Sequence, residues 1–161
     1  MNQSVAETLP TETRQSEAQP TEAPARHGRI VVGVDGSEAS VVALRRGIKM
    51  AEALGASLEA ITTWRLMTAF ATASEFGYTP EDDALSILAG AAKSTFGATI
   101  PPWFTAYAVQ GEADRVLIER STGAEMLIVG SRGHGGLAGV LLGSVSAECA
   151  EHAHCPVLII H

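Results

Sequence analysis

A chain of 161 residues is long enough to bury one good core, and 46% of its residues are hydrophobic while 18% are charged. The net charge of −7 argues against nucleic-acid binding through a basic surface, and two cysteines are too few for a disulfide framework. The sequence has no apolar run of about 18 residues to span a membrane and no secretory leader, so we expect a cytoplasmic protein.

Residues 1–27 differ in composition from the rest of the chain. They are rich in Thr, Glu, Gln, Ala and Pro and contain no aromatic residue. Such a segment offers too little apolar surface for a packed core, so we expect a disordered tail before one domain at residues 28–161. A solubilising tail is the simple interpretation, and a docking or phosphorylation element is the alternative.

The first predicted unit is a strand, a helix and a second strand. The β-branched run Ile30–Val34 is typical of a buried parallel strand. Apolar residues then recur at three- and four-residue spacing up to Gly55, which predicts an amphipathic helix. Its predicted buried residues are Val41, Leu44, Ile48, Ala51 and Leu54. Ser57–Trp64 follows as the second strand, so the helix is a crossover between parallel strands.

The second helix follows residues 65–79, which show no clean period and predict a long connection. Thr79 and Pro80 supply an N-cap and a first helical residue, and Gly97 ends the helix. The predicted buried stripe is Leu85, Leu88, Ala92 and Phe96.

The rest of the chain repeats the alternation of strand and helix. We predict a strand at Trp103–Val109, a short helix after Gly111, a strand at Met126–Val129, a helix from Ser144 to about His152, and a last strand at Val157–Ile160. Five strands alternating with four helices predict a doubly wound, Rossmann-like α/β fold with helices on both faces of a parallel sheet. In such a fold the binding site lies outside the strand carboxyl ends.

A glycine loop follows the fourth strand. Gly130, Gly133 and Gly143 are separated by two and nine residues, and Ser144 begins the next helix. Glycines let backbone N–H groups crowd around an anion, and a helix start adds unpaired amides and the positive end of a dipole. The loop is not a P-loop, because no lysine occurs after Lys93, and the G-x-G-x-x-G dinucleotide fingerprint is absent after the first strand. The alternative is a tight turn with a purely structural role.

This spacing, G-x2-G-x9-G-[S/T] after an apolar strand, resembles the nucleotide loop of the universal stress protein family. The opening Val-Asp-Gly-Ser of residues 34–37 and the closing Cys-Pro-Val-Leu-Ile-Ile of residues 155–160 resemble two further motifs of that family. The resemblance implies the strand order 3-2-1-4-5 and ATP as ligand. The last strand would then lie at the sheet edge, where an exposed apolar strand is expected to pair with a second copy in a homodimer.

The resemblance also implies a set of binding residues. Adenine and ribose would be bound near the first two strands by Val34, Asp35, Gly36, Ser37 and Thr63. Phosphates would be bound by Gly130, Ser131, Arg132, Gly133, Gly143, Ser144, Val145 and Ser146, with Val145 acting through its backbone. Asp35 could accept from ribose hydroxyls, bind a phosphate-bound Mg²⁺, or simply cap the first helix. Arg132 could form a bidentate contact with phosphate, while His134 is more simply a solvated loop residue.

Two other groups of side chains could carry chemistry. Cys149, His152, His154 and Cys155 are close enough in sequence for a transition metal, but Cys149 more simply packs as a small apolar residue. No G-x-S-x-G elbow or evident base accompanies Ser144, so no catalytic residue is predicted.

The predicted function is therefore an ATP-binding stress sensor or regulator. Slow ATP hydrolysis or self-phosphorylation stays open. The alternatives are an interaction protein of the same fold that does not bind nucleotide, and an ATP-consuming enzyme.

Overall fold

The computed structural model describes residues 26–66, 79–134 and 142–161. Its strands are β1 (Arg29–Gly33), β2 (Ser57–Trp64), β3 (Phe104–Gln110), β4 (Met126–Gly130) and β5 (Val157–Ile160). Its helices are α1 (Glu38–Leu54), α2 (Pro80–Phe96), α3 (Ala113–Ser121) and α4 (Ser144–His152). All neighbouring strands are parallel and their order is β3-β2-β1-β4-β5, which confirms the predicted α/β fold. Most of the predicted tail and of the long connection after β2 lies outside the described residues.

The centre of the sheet explains the unbroken apolar runs in the sequence. β1 lies between β2 and β4, with Val31 opposite Leu127 and Val32 opposite Ile128. Val32 and Ile128 join the core cluster on the side of α1 and α2, whereas Val31 and Leu127 join the cluster on the side of α3 and α4. Because both faces of these strands are covered, neither face requires polar residues.

Helix α1 begins and ends where its sequence signals predict. The Ser37 side chain accepts a hydrogen bond from Ser40 N at 3.2 Å, and Gly55 ends the helix in a left-handed conformation with φ of 63°. Leu44, Ile48 and Ala51 of the predicted stripe are buried. Val41 is only partly buried, and Leu54 is 56% exposed, so its predicted burial is wrong. Leu54 is the last residue of the helix, and the chain turns away immediately after it.

Helix α2 begins with the predicted cap. Thr79 and Asp82 exchange side-chain-to-backbone hydrogen bonds of 3.2 and 2.8 Å, and Pro80 is the first helical residue. Leu88 is buried as predicted, whereas Leu85 is 50% exposed, so its predicted burial is wrong. The residues that pack on the sheet in this helix are Ala84, Leu88, Ala91 and Ala92. Leu85, which follows Ala84, is rotated by about 100° around the helix and points away from the sheet.

Gly90 offers a test of helix propensity in α2. It is exposed in the middle of the helix, and a β-carbon built on it would meet no atom within 4 Å. Replacing Gly90 with alanine should raise the free energy of unfolding by about 0.5–1 kcal/mol, because alanine loses less backbone entropy on folding. Urea denaturation measures the change, and a less stable variant would contradict the expectation.

Cys149 packs as the small apolar residue that the sequence predicts. It is fully buried among the residues under α3 and α4, and this burial raises the pKa of its thiol to about 11. Within the described ranges, no three His, Cys, Asp or Glu side chains are arranged to hold a metal ion. Among the described helices, none is both long and apolar enough to cross a membrane.

The two thiols should therefore differ in reactivity. At about pH 8, only about one Cys149 thiol in a thousand would be ionised even if the reagent could reach it. We expect an aromatic disulfide reagent to modify the partly exposed Cys155 in the folded protein and Cys149 only after denaturation. Absorbance at the end point counts the modified thiols, and rapid modification of two thiols in the native state would contradict the predicted burial.

Candidate functional site

A cavity of about 360 Å³ opens where β1 and β4 end. These strands are neighbours, but α1 leaves β1 over one face of the sheet, whereas α4 packs against the other face. The connections therefore diverge and leave a crevice at the carboxyl ends, which is the position of ligand sites in doubly wound folds. Eleven of the predicted binding residues line it: Val34, Asp35, Ser37, Thr63, Gly130, Arg132, Gly133, Gly143, Ser144, Val145 and Ser146.

Two predicted residues do not line this cavity. Gly36 lies in the turn between β1 and α1, where its φ of 85° favours glycine. Ser131 is buried, and its carbonyl oxygen accepts hydrogen bonds from Gly143 N at 2.7 Å and from the Ser146 hydroxyl at 2.9 Å. Ser131 N in turn donates to Ile160 O at 2.6 Å. Ser131 thus ties the end of β4 to the start of α4 and to β5.

Asp35 is held in a fixed orientation at the end of β1. Its Oδ1 accepts hydrogen bonds from Ser37 N at 2.9 Å and from the Ser37 hydroxyl at 2.5 Å. Burial acts to raise the pKa of Asp35, but the hydrogen bonds from Ser37, assisted by Ser40 and the charge of His134, hold that pKa below its ordinary value. The N-cap of α1 is Ser37, so Asp35 does not itself cap the helix.

The lowered pKa of Asp35 has a consequence for acid stability. A carboxyl group whose pKa is lower in the folded state adds stability above its unfolded value of about 4, and this is lost as the pH falls through the folded value. The Asp35→Asn variant should therefore lose less stability than the parent protein on acidification below about pH 4. Urea denaturation at several pH values measures the free energy of unfolding of both proteins. An equal loss of stability in the two proteins on acidification would contradict the prediction.

Groups suited to an anion meet at the end of the cavity where α4 begins. No side chain caps α4, and the first amides of a helix have no partner within it, so those of residues 144–146 are suited to an anion. The Ser146 hydroxyl is engaged with Ser131 O and Gly143 O, both at 2.9 Å. Its backbone N–H, rather than its hydroxyl, is therefore the group suited to an anion. Arg132 is exposed at the same end and adds a positive charge.

An apolar wall completes the cavity, and sequence reasoning missed most of it. The apolar residues missed are Gly33, Ile61, Ile87, Ala113, Leu117 and Val129, and the polar residues Ser40 and Thr62 line the cavity beside them. Ile87 comes from α2 and Leu117 from α3, so helices on both faces of the sheet contribute. His134 is exposed, as the simple interpretation has it, and also lines the cavity. A carboxylate, a group of amides suited to an anion and apolar side chains therefore share one crevice.

A family model described as the universal stress protein family matches residues 27–161. The chain belongs to the universal stress protein family. Universal stress protein Rv2623 of Mycobacterium tuberculosis is 33% identical over 143 residues, which cover 82% of this chain and 47% of that protein. Universal stress protein Rv2005c of the same organism is 36% identical over 146 residues, covering 84% and 48%. The chain thus spans about half the length of the curated relatives that it matches.

Solved universal stress protein structures share this fold. UspA from Lactobacillus plantarum has a TM-score of 0.71 and 21% identity, covering 85% of this chain and 99% of that one. A universal stress protein in complex with cAMP has a TM-score of 0.63 and 30% identity with the same coverage. A third, from Archaeoglobus fulgidus in complex with dAMP, has a TM-score of 0.62 and 17% identity, covering 85% and 100%. Two of these three relatives therefore hold an adenine nucleotide.

Proposed function

We propose that this universal stress protein binds ATP in the cavity between β1 and β4 and acts as a nucleotide-dependent sensor or regulator. The observation that carries the proposal is the meeting of Asp35, an uncapped helix start and an apolar wall in one crevice. Its volume of about 360 Å³ falls within the usual range for small-molecule sites. Relatives in complex with cAMP and dAMP support an adenine nucleotide as the ligand.

The chemistry of the lining suggests how ATP would lie. The adenine ring would pack on apolar side chains such as Ile61 and Ile87, and the ribose hydroxyls would donate to Asp35. The phosphates would meet the amides at the start of α4 and the Arg132 guanidinium. In the alternative arrangement, Asp35 would instead bind an Mg²⁺ ion that enters with ATP, since Mg²⁺ is usually held by one or two carboxylates together with substrate phosphates.

A regulatory role fits these groups better than rapid catalysis. Asp35 is the ionised carboxylate of the cavity, and one of its oxygens already accepts two hydrogen bonds from Ser37. A base held in this way is poorly placed to activate water, although bound ATP beside a metal ion can be hydrolysed slowly or can phosphorylate a nearby hydroxyl. We therefore propose slow turnover at most.

The first experiment measures the nucleotide that accompanies the purified protein. Protein prepared without added ligand is denatured, and the supernatant is compared with ATP, ADP and AMP standards by ion-exchange chromatography. Stoichiometric ATP supports tight binding with slow hydrolysis, whereas mainly ADP or AMP favours turnover. An empty protein that also gives no heat with ATP in calorimetry would overturn the proposal and favour an interaction protein that does not use nucleotide.

A double variant tests the position of the phosphates. Gly143→Val with Ser144→Ala adds bulk and removes a hydroxyl at the start of α4, so ATP affinity should fall. Gly90→Ala is the control, because Gly90 lies in α2 and does not line the cavity. Unchanged affinity in the double variant would overturn this placement.

The same proposal includes a homodimer formed through β5 and a cytoplasmic location. β5 is an edge strand that pairs with β4, and all four of its residues are aliphatic. An apolar edge of this kind readily pairs with another strand. Light scattering at micromolar concentration should give the mass of a dimer, and a monomer would contradict it. Cell fractionation tests the location.

A further inference from the structure

The exposed face of α1 carries a basic cluster, defined here as Arg45, Arg46 and Lys49. All three side chains are exposed, and they lie within five consecutive positions of a chain whose net charge is −7. Lys49 follows Arg45 by four residues and Arg46 by three, so the three positive charges share one side of the helix. Like charges at this spacing repel one another, and an acidic partner would relieve that repulsion.

No acidic side chain among the described residues forms an ion pair with the basic cluster. The ion pairs among the described residues involve other side chains, principally Glu59 with Arg29 and Arg120, and Glu112 with Arg65. α1 has two exposed acids of its own, Glu38 at its first residue and Glu52 in its last turn. Neither forms an ion pair with the cluster, which leaves three adjacent positive charges on this face.

The chain enters the domain beside the end of α1. Arg26 Nη1 donates to Ala51 O at 3.2 Å and to Ala56 O at 2.9 Å, and its guanidinium lies 4.5 Å from the centre of the Trp103 ring. His27 N donates to Gly55 O at 3.0 Å. These contacts fix the point from which residues 1–25 extend. Along the helix, Ala51 is only about 9 Å from Arg45.

Residues 1–25 carry negative charge that would complement the basic cluster. They contain four glutamates, at positions 7, 12, 17 and 22, against a single arginine, Arg14. Glu22 precedes the anchored Arg26 by four residues, a reach of about 13 Å in an extended chain, which exceeds the rise of about 9 Å along α1 from Ala51 to Arg45. Glu17, five residues earlier in the chain, is also within reach of the same face. The charge and the length of this segment therefore both allow its glutamates to meet the basic cluster.

We propose that the acidic segment of residues 1–25 docks on the basic cluster of α1 in the same molecule. The tether keeps the local concentration of its carboxylates near the millimolar range, so docking needs no high intrinsic affinity. Each exposed ion pair contributes little and is screened by salt, so the segment should exchange rapidly and dissociate at high ionic strength. This contact is independent of nucleotide binding.

Paramagnetic broadening of α1 signals tests the proposal in the full chain. A spin label is attached to Ser16→Cys in a Cys155→Ser background, which leaves the buried Cys149 as the remaining native thiol. At low salt, the amide signals of Arg45, Arg46 and Lys49 should lose at least half of their intensity. The loss should disappear at about 1 M salt, where the Debye length is about 3 Å.

The matched control neutralises the cluster while keeping a polar side chain at each position. In Arg45→Gln, Arg46→Gln and Lys49→Gln combined, the broadening of α1 should be lost although the amide spectrum of the core is retained. Broadening that is absent from the parent at low salt, or that persists in the neutralised variant, would overturn the proposal. Broadening of isotope-labelled protein by a separate spin-labelled copy, in a mixed sample, would instead assign the contact to a second molecule.

Discussion

Replacing Gly133 with alanine is expected to lower the affinity for ATP by about tenfold or more. A β-carbon built on Gly133 would overlap Oδ2 of Asp35, whose other oxygen is held by Ser37. The carboxylate would have to rotate away from the cavity, losing a charged hydrogen bond to the ribose or a contact with the metal. Hydrogen bonds to charged groups contribute about 1.5–3 kcal/mol, which corresponds to about 10- to 100-fold in affinity. Isothermal calorimetry with ATP measures the change.

The stability of the Gly133 variant separates this effect from misfolding. Gly133 is exposed, so the free energy of unfolding should change little. Gly90→Ala provides the matched control, since it is the same substitution at a site with open space around it. If Gly133→Ala binds ATP as the parent protein does, Asp35 is not a ligand of the nucleotide and the proposed pose is wrong.

The secondary structure was accessible to sequence reasoning because its signals are local. Runs such as Met126–Val129 are apolar at every position because both faces of the strand are covered. Ser37 and Thr79 begin helices and Gly55 ends one, all through contacts within a few residues. The strand order is different. It depends on which face each crossover helix covers, which no local pattern specifies, and it came from the resemblance to a family.

The errors in burial have two physical origins. A periodic pattern does not show how far the sheet extends beneath a helix, and Leu54, in the last turn of α1, is 56% exposed. Nor does it fix which side of the helix faces the sheet, and Leu85 is 50% exposed while Ala84 beside it is buried. The middle turns of both helices, which lie over the sheet, follow the pattern.

The sequence predicts the loops of the candidate site but not the apolar residues that line its cavity. Glycine spacing and the Val-Asp-Gly-Ser motif identify the two chain segments that leave β1 and β4. Ile87 and Leu117 look like ordinary core residues of two separate helices, and only the assembled fold brings them to the same cavity. Likewise, the Ser146 hydroxyl bonds to the carbonyl of Ser131, fifteen residues earlier in the chain, so its engagement is a tertiary feature.

Replacing Gly130 with alanine is expected to destabilise the fold by about 1–3 kcal/mol, the usual cost of overpacking. Gly130 ends β4 beneath the start of α1, and a β-carbon there would lie 2.9 Å from Ala39 Cβ, 3.0 Å from Ala39 C and 3.2 Å from Ser40 N. A backbone and a β-carbon cannot rotate aside, so the first turn of α1 would have to move away from the sheet. Urea denaturation measures the loss of stability.

Gly33 is the matched control because it ends β1 as Gly130 ends β4. A β-carbon on Gly33 would also come within 2.9 Å of an atom, but that atom is the terminal Cδ1 of Leu117, which can change rotamer. Gly33→Ala should therefore cost less than Gly130→Ala. Equal losses of stability would mean that the first turn of α1 moves as easily as the Leu117 side chain changes rotamer. The close packing of α1 on β4 would then not be what requires a glycine at position 130.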